Sequence, residues 1–367
     1  MEPKIQTLTI ERFRAIRQLL IENLGRVNLI TGRNNTGKSS VLEALRLLAS
    51  GASTDVIGNI LQFREEYSRD IRYSQPLDEE GFFKLSGLFH GFPPFSGEID
   101  PIVIESRGGQ VPMKLSIGTV WVRWVEDSDG MNRPISQKTP SLFPEEGWSP
   151  AIEVNDIAGK PRYLTRPTYP SRQPAEESRM PCVFVSPYGG EQTAELGALW
   201  DKIALSDSEK AVVEALRIIN PEISAVSMVG GESPRQQRRA IVRAEGIPRP
   251  VPLRTFGDGL NRLFGIALSL VNAKDGLLLI DEFENGMHHT IQVDVWRAIF
   301  RLARDLDIQV VATSHSWDSI EAFQKAASEV PEEGVLVRLT RKGQDIIPTL
   351  FREDELAIAA RDRIEVR

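Results

Sequence analysis

Residues Gly32-Arg33-Asn34-Asn35-Thr36-Gly37-Lys38-Ser39 carry the spacing G-x-x-x-x-G-K-[ST], and Gly276-Leu277-Leu278-Leu279-Ile280-Asp281-Glu282 ends an apolar run on two adjacent carboxylates. The first pattern suits a phosphate chain. Its glycines let successive backbone N–H groups curl round the phosphates, Lys38 reaches the terminal groups, and the Ser39 hydroxyl can join the oxygen shell of Mg²⁺. The second, a Walker B form, suits a metal and a proton: Asp281 would hold Mg²⁺ directly or through water, and Glu282 would orient and deprotonate an attacking water. Together they predict nucleoside triphosphate binding, with ATP and Mg²⁺ as cofactors and with Gly32, Asn34, Asn35, Thr36, Gly37, Lys38, Ser39 and Ser40 around the phosphates.

Both patterns need elements to hold them. A short apolar strand (Val27, Leu29, Ile30) precedes the glycine loop, and a helix carrying Val41, Leu42, Leu45 and Leu48 at helical spacing follows it. Leu277 to Ile280 read as a strand buried on both faces, with its carboxylates at the end where ligands gather in parallel sheets. A helix from about Thr290 to Asp305 and a strand over Ile308 to Thr313 continue the β-α-β rhythm, so these strands should be parallel. Beyond them stands Ser314-His315-Ser316. His315 is placed to hydrogen-bond a γ-phosphate, while Ser314 or Ser316 could cap the helix holding Ile320 and Phe323. Upstream, Gly257-Asp258-Gly259 turns into an apolar helix whose N-terminus could also meet phosphate.

Composition bounds the alternatives. The chain has 367 residues and a formal charge of -7, which argues against a generally basic nucleic-acid coat but leaves room for a local basic face. Cys182 is the single cysteine, so no internal disulfide framework exists and a cytoplasmic location is expected. No signal peptide is read at Met1 to Thr9, and the stretch Leu263 to Ile280 is broken by Asn272, Lys274 and Asp275, so no membrane span is predicted. His288 and His289 lack the H-E-x-x-H spacing of a helical metal site.

In this order, phosphate loop, Gly-x-Gly turn, Walker B and histidine, the chain resembles the ABC-type ATPases of the OLD (overcoming lysogenisation defect) family, relatives of RecF and the SMC proteins. The resemblance rests on Phe13-Arg14-Ala15-Ile16, on Val27 to Leu45, on Leu253 to Phe323 and on the ending Arg361 to Arg367, with Asp281-Glu282-Phe283-Glu284-Asn285-Gly286-Met287-His288 matching the family's Asp-Glu-x-Glu-Asn-Gly-x-His. It implies an α/β fold: an ABC-type ATPase head with a mixed sheet and flanking helices. It also implies Gly257, Asp258 and Gly259 as a signature loop acting across a homodimer or higher homo-oligomer, Glu284 to Met287 as the Asp-loop at that interface, Arg14 approaching the nucleotide, and Lys38, Glu282 and His315 as catalytic. Gly257-Asp258-Gly259 departs from the Leu-Ser-Gly-Gly-Gln of transporters, and no Q-loop is placed. Full-length OLD nucleases carry a Toprim domain after the ATPase. The segment 316–367 is too short for one, so a destructive output would belong to a separate effector, a nuclease or toxin.

The remaining organisation is read from composition. Residues 1–90 form the first part of lobe I and 91–181 a β-rich insertion, since the stretch from His90 to Pro181 holds 13 of the 23 prolines and little helical periodicity. Within it 113–117 and 120–125 read as separate short strands. Residues 182–250 give a returning strand, two amphipathic helices and a hairpin turning at Glu245-Gly246; 251–367 form lobe II. Arg235, Arg238, Arg239 and Arg243 make the densest basic cluster, set either to grip nucleic-acid phosphates or to be solvated. The reading is an ATPase signalling to an effector in prokaryotic anti-phage defence. A RecF-like DNA clamp and a nucleotide-locked scaffold restraining a toxin are the alternatives.

Overall fold

Leu8, Ile10 and Phe13 turn inward along β1 (Thr7–Phe13), as do Ile16, Leu19 and Ile21 along β2 (Ile16–Ile21), and the two pair antiparallel. The computed structural model describes residues 2–66, 85–93, 99–109, 112–126, 128–129, 132–138, 147–156, 161–164, 179–187, 193–230, 238–330, 333–352 and 355. After β3 (Val27–Thr31), buried throughout, come α1 (Lys38–Ser50) and α2 (Thr54–Phe63). Strands β4 (Ile102–Arg107), β5 (Met113–Glu126), β6 (Asn132–Gln137), β7 (Ser149–Asp156) and β8 (Arg162–Leu164) follow. They extend the β1–β2 pair into a seven-stranded sheet, β4 lying directly beside β1. The described strands of 91–181 therefore share one sheet with β1 and β2. The two short strands expected at 113–117 and 120–125 are one: Gly118 and Thr119 stay extended because β7 pairs across them, Gly118 opposite Glu153 and Thr119 opposite Ile152.

The chain then returns through β9 (Cys182–Val185) to α3 (Thr193–Ile203) and α4 (Asp207–Leu216), and a small sheet forms from β10 (Ile223–Val229), β11 (Arg239–Ala244) and β12 (Val251–Pro252). Next come α5 (Asp258–Asn272), β13 (Leu277–Ile280), α6 (His289–Asp305), β14 (Gln309–Thr313), α7 (Trp317–Ala327), β15 (Gly334–Lys342) and β16 (Asp345–Phe351). The central sheet runs β16-β15-β3-β14-β13-β9, parallel except for the β15–β16 hairpin. This mixed order matters for chemistry. It sets β3, which launches the glycine loop, beside β14, and β14 beside β13, so three strand ends converge.

Because side chains alternate across a strand, this sheet serves two cores. Leu277, Leu279 and Val311 face one core with Val41, Leu42, Leu45 and Leu48 of α1, which lies between the two large sheets. Leu278, Ile280, Val310 and Ala312 face the other, filled by α5, α6 and α7. In that second core Trp296 is fully buried, stacked on Phe283 at 4.1 Å between centroids and edge-on to Phe323 at 5.0 Å. Phe283 follows the two carboxylates directly, so the packing anchors the turn that carries them. Trp296→Ala should lower unfolding free energy by about 3–5 kcal/mol, read as a fall in denaturant midpoint, whereas Trp296→Phe should cost less than half of that.

Candidate nucleotide site

The glycine loop is shaped by positions that a side chain would disturb. Gly32 has φ 144°, and a Cβ there would lie 2.5 Å from the Leu339 carbonyl oxygen and 2.7 Å from Thr36 Oγ1. Asn35 and Gly37 take φ of 63° and 87°, and Gly37 begins α1 with no side chain to cap it. The first N–H groups of α1 thus have no side-chain cap and suit an anion. Thr36 Oγ1 closes the loop on the Arg33 carbonyl at 2.8 Å. Lys38 Nζ donates to the carbonyls of Gly32 at 2.7 Å and Arg33 at 3.1 Å, so its ammonium already lies over the loop. Burial draws the Lys38 pKa below the ordinary lysine value, against the upward pull of Asp281, Glu282 and Glu284.

The carboxylates arrive from the neighbouring strand ends. Ser39 Oγ donates to Asp281 Oδ1 at 3.3 Å, and Thr313 Oγ1 donates to the same oxygen at 2.6 Å. A hydroxyl and a carboxylate converging in this way form a hard-oxygen donor set that fits Mg²⁺. Glu282 holds a left-handed φ of 48°, uncommon for a residue with a side chain, and Asn285 Nδ2 donates to its Oε2 at 2.6 Å. Glu284 Oε1 accepts the His315 backbone N–H at 3.0 Å and lies 3.2 Å from His315 Nδ1. The His315 side chain remains half exposed. Ser316 begins α7, yet the capping bond expected of its hydroxyl is not made; its own N–H donates to Ser314 Oγ at 3.1 Å.

Arg262, on α5, spans the back of this turn. Nη1 donates to the Ser186 carbonyl at 2.5 Å, and Nη2 donates to the carbonyls of Asp281 at 3.0 Å and Glu282 at 3.1 Å. Burial pulls its pKa down to about 10, with Asp281, Glu284 and Glu282 opposing. The helix that starts at Gly257 is thereby tied to the backbone bearing both carboxylates.

Comparison with known proteins agrees with this geometry. Residues 4–89 match a family model described as "AAA ATPase domain", and residues 195–320 match one described as "AAA domain, putative AbiEii toxin, Type IV TA system". The chain is 22% identical over 384 residues to an "ATP/GTP phosphatase" of Helicobacter pylori, covering 96% of each chain. It is 56% identical over 46 residues to the uncharacterised protein MJECL10 of Methanocaldococcus jannaschii, a match to 12% of this chain and 21% of that one. A crystal structure of an SMC head bound to the C-winged helix domain of ScpA superposes with a TM-score of 0.50 at 11% identity, covering 97% of this chain and 100% of that one. The fold is that of an ABC-type ATPase head.

Within the ATPase head, Gly257, Asp258 and Gly259, expected as a signature loop, occupy the start of α5. Gly257 has φ 99° and open space around it, Asp258 is exposed beside Arg254 at 3.7 Å, and a Cβ on Gly259 would lie 3.3 Å from the Gly286 carbonyl oxygen. The turn at Gly257 to Gly259 therefore packs on the turn at Gly286. The Arg14 guanidinium meets Glu43 at 2.6 Å, Glu66 at 2.7 Å and the Gly87 carbonyl at 3.1 Å. Glu43 sits one helical turn beyond Ser39 and holds Arg64 as well, at 2.8 Å.

The basic cluster of the head is divided. Arg238 forms a fork on Asp201 at 2.6 and 2.8 Å, Arg239 and Arg243 lie on the exposed face of β11, and Arg235 lies outside the described residues, as does the ending 361–367. Among the described residues no group of three or more His, Cys, Asp or Glu side chains is placed to hold a metal ion, and no helix is long and apolar enough to cross a membrane. Sequence reasoning missed Thr313 and Arg262. It gave Glu284 and Asn285 only an interface role, whereas the Glu284 carboxylate faces His315 and the Asn285 amide donates to Glu282 within the same chain.

Proposed function

We propose that this chain hydrolyses ATP as a homodimer and passes the state of its nucleotide to a separate effector, a nuclease or toxin, in prokaryotic anti-phage defence within the cytoplasm. The observation that carries hydrolysis is the meeting of Ser39 and Asp281 at 3.3 Å, which puts the start of the phosphate-loop helix and the carboxylate strand in one site. The Helicobacter pylori relative bears the name of a nucleotide phosphatase, which supports the same chemistry here. The family model over 195–320, whose description names a toxin and a toxin–antitoxin system, supports the effector part of the reading. Membership of the OLD family is kept within it, on the Asp281 to His288 motif.

Each residue has a stated task. The loop N–H groups and Lys38 hold the phosphates, Lys38 serving as the point charge at the terminal group. Mg²⁺, when bound by Ser39 and Asp281, supplies charge neutralisation at the phosphate oxygens. Glu282, steadied by Asn285, takes the proton of the attacking water, and His315, steadied by Glu284, donates towards the terminal phosphate. The signature turn at Gly257 to Gly259 completes a partner's site.

The test has two arms. Purified protein should release phosphate from ATP with Mg²⁺ and should co-purify with the product of a neighbouring gene in a nucleotide-dependent manner. Release no faster than the uncatalysed rate would remove the hydrolytic part. Tight, ATP-dependent DNA binding by the isolated protein, with no co-purifying partner, would replace the effector part with a DNA clamp.

A further inference from the structure

The last residue of β14 is a buried threonine that follows three apolar residues, Val310, Val311 and Ala312. Thr313 is fully buried, where a valine of nearly the same shape would avoid the cost of placing a hydroxyl away from water. The hydroxyl is used twice. It donates to Asp281 Oδ1 at 2.6 Å and accepts the Glu282 backbone N–H at 2.9 Å. The backbone of the same residue also takes part, since the Thr313 carbonyl accepts the Phe283 N–H at 2.9 Å. Two residues later the His315 N–H meets Glu284. The end of β14 thus grips residues 281, 282, 283 and 284 in turn, while the Ser314 N–H donates to the Ile30 carbonyl of β3 at 3.0 Å, on the strand that launches the phosphate loop.

We infer that Thr313 is a positioning residue for phosphoryl transfer: one hydroxyl orients the metal-side carboxylate Asp281 and fixes the left-handed turn that aims Glu282. The two tasks are coupled by geometry. Glu282 keeps φ at 48°, a conformation that persists only when its surroundings over-determine it, and the Thr313 oxygen is the acceptor for that residue's own N–H. Removing the oxygen leaves that N–H without its acceptor and frees Asp281 to rotate away from Ser39. The inference rests on the hydrolytic reading for its effect on turnover, but its effect on metal grip is independent of turnover.

The experiment compares wild type, Thr313→Val and Thr313→Ser. Nucleotide affinity is measured in EDTA and across a Mg²⁺ titration, kcat and KM by phosphate release, and folding by thermal midpoint. Partners that orient metal ligands typically account for about 10- to 100-fold in metal affinity or activity. Thr313→Val should therefore raise the Mg²⁺ concentration for half-maximal tightening of nucleotide binding by at least about tenfold and lower kcat by about 10- to 100-fold, with EDTA affinity and KM within about twofold. Thr313→Ser, which keeps the oxygen, should restore both to within about threefold of wild type. Should the valine variant fail to fold, Thr313→Ala takes its place in the same comparison. A variant lacking the hydroxyl that melts earlier yet keeps wild-type Mg²⁺ dependence and kcat would overturn the inference. If wild type itself shows no turnover, the hydrolytic reading fails, and the Mg²⁺ titration alone still decides the role of Thr313.

Discussion

Glu282→Gln is expected to bind ATP and Mg²⁺ with near-wild-type affinity while losing about 10²- to 10⁴-fold in turnover, the range that a positioned general base supplies. The amide keeps the size and a hydrogen-bonding oxygen for Asn285, so the turn survives, but it cannot accept the proton of the attacking water. Lys38→Ala should behave differently. It removes the ammonium that sits on the Gly32 and Arg33 carbonyls, the main point charge offered to the terminal phosphates, so nucleotide affinity itself should collapse. Equilibrium binding and single-turnover phosphate release on both variants separate the two losses. Unimpaired turnover by Glu282→Gln would remove it as the base, and the neighbouring Glu284 would become the next candidate.

The contrast between these variants follows the line between what the sequence displays and what it hides. The phosphate loop is legible because its chemistry is local: glycine where φ is positive, lysine and serine at the start of the helix, all within eight residues. The carboxylate strand is legible because a run buried on both faces must be apolar, so the first charges mark its end. Thr313, by contrast, reads as one more β-branched strand residue. Its bonds to Asp281 and Glu282 cross 32 and 31 positions of chain, and only the parallel pairing of β13 with β14 brings them together. Arg262 reads as the polar side of a helix, yet it is buried because three carbonyls gather at the turn it faces. Asn285 is visible within the Asp281 to His288 motif, but its bond to Glu282 is not, since it depends on how the turn folds back.

Larger features were hidden for the same reason. The segment 91–181 shows its strands by composition, but nothing local says that β4 lies against β1, with Ile104 opposite Ile10. The basic cluster reads two ways along the chain, as a phosphate grip or as a solvated face. Adjacent arginines suggest one surface, whereas the fold hands Arg238 to Asp201 on α3 and leaves Arg239 and Arg243 on the open face of β11. Charge density along a chain does not fix charge density on a surface.

Mixing two inactive variants should restore activity if the site is shared between subunits. The turn at Gly257 to Gly259, proposed as the signature, packs on the 284–287 turn of its own chain through Gly259 and Gly286, and Arg262 ties the same helix to the turn at Asp281 and Glu282. Gly257 itself faces open space. In the proposed dimer that open turn meets a partner's nucleotide, so each chain contributes a loop half to one site and a signature half to the other. Lys38→Ala destroys the loop half, and Gly259→Asp places a negative charge where the partner's terminal phosphate would approach the helix N-terminus. Each homodimer should then be inactive at both sites. A mixed dimer keeps one intact pairing, the loop of the Gly259→Asp chain with the signature of the Lys38→Ala chain. Random pairing of equal amounts should therefore return about one quarter of wild-type turnover, if two-fold dimers form and their sites act independently. Turnover that stays absent in the mixture, together with a wild-type rate per chain that does not change on dilution, would show that each chain completes its own site and would remove the shared-site mechanism.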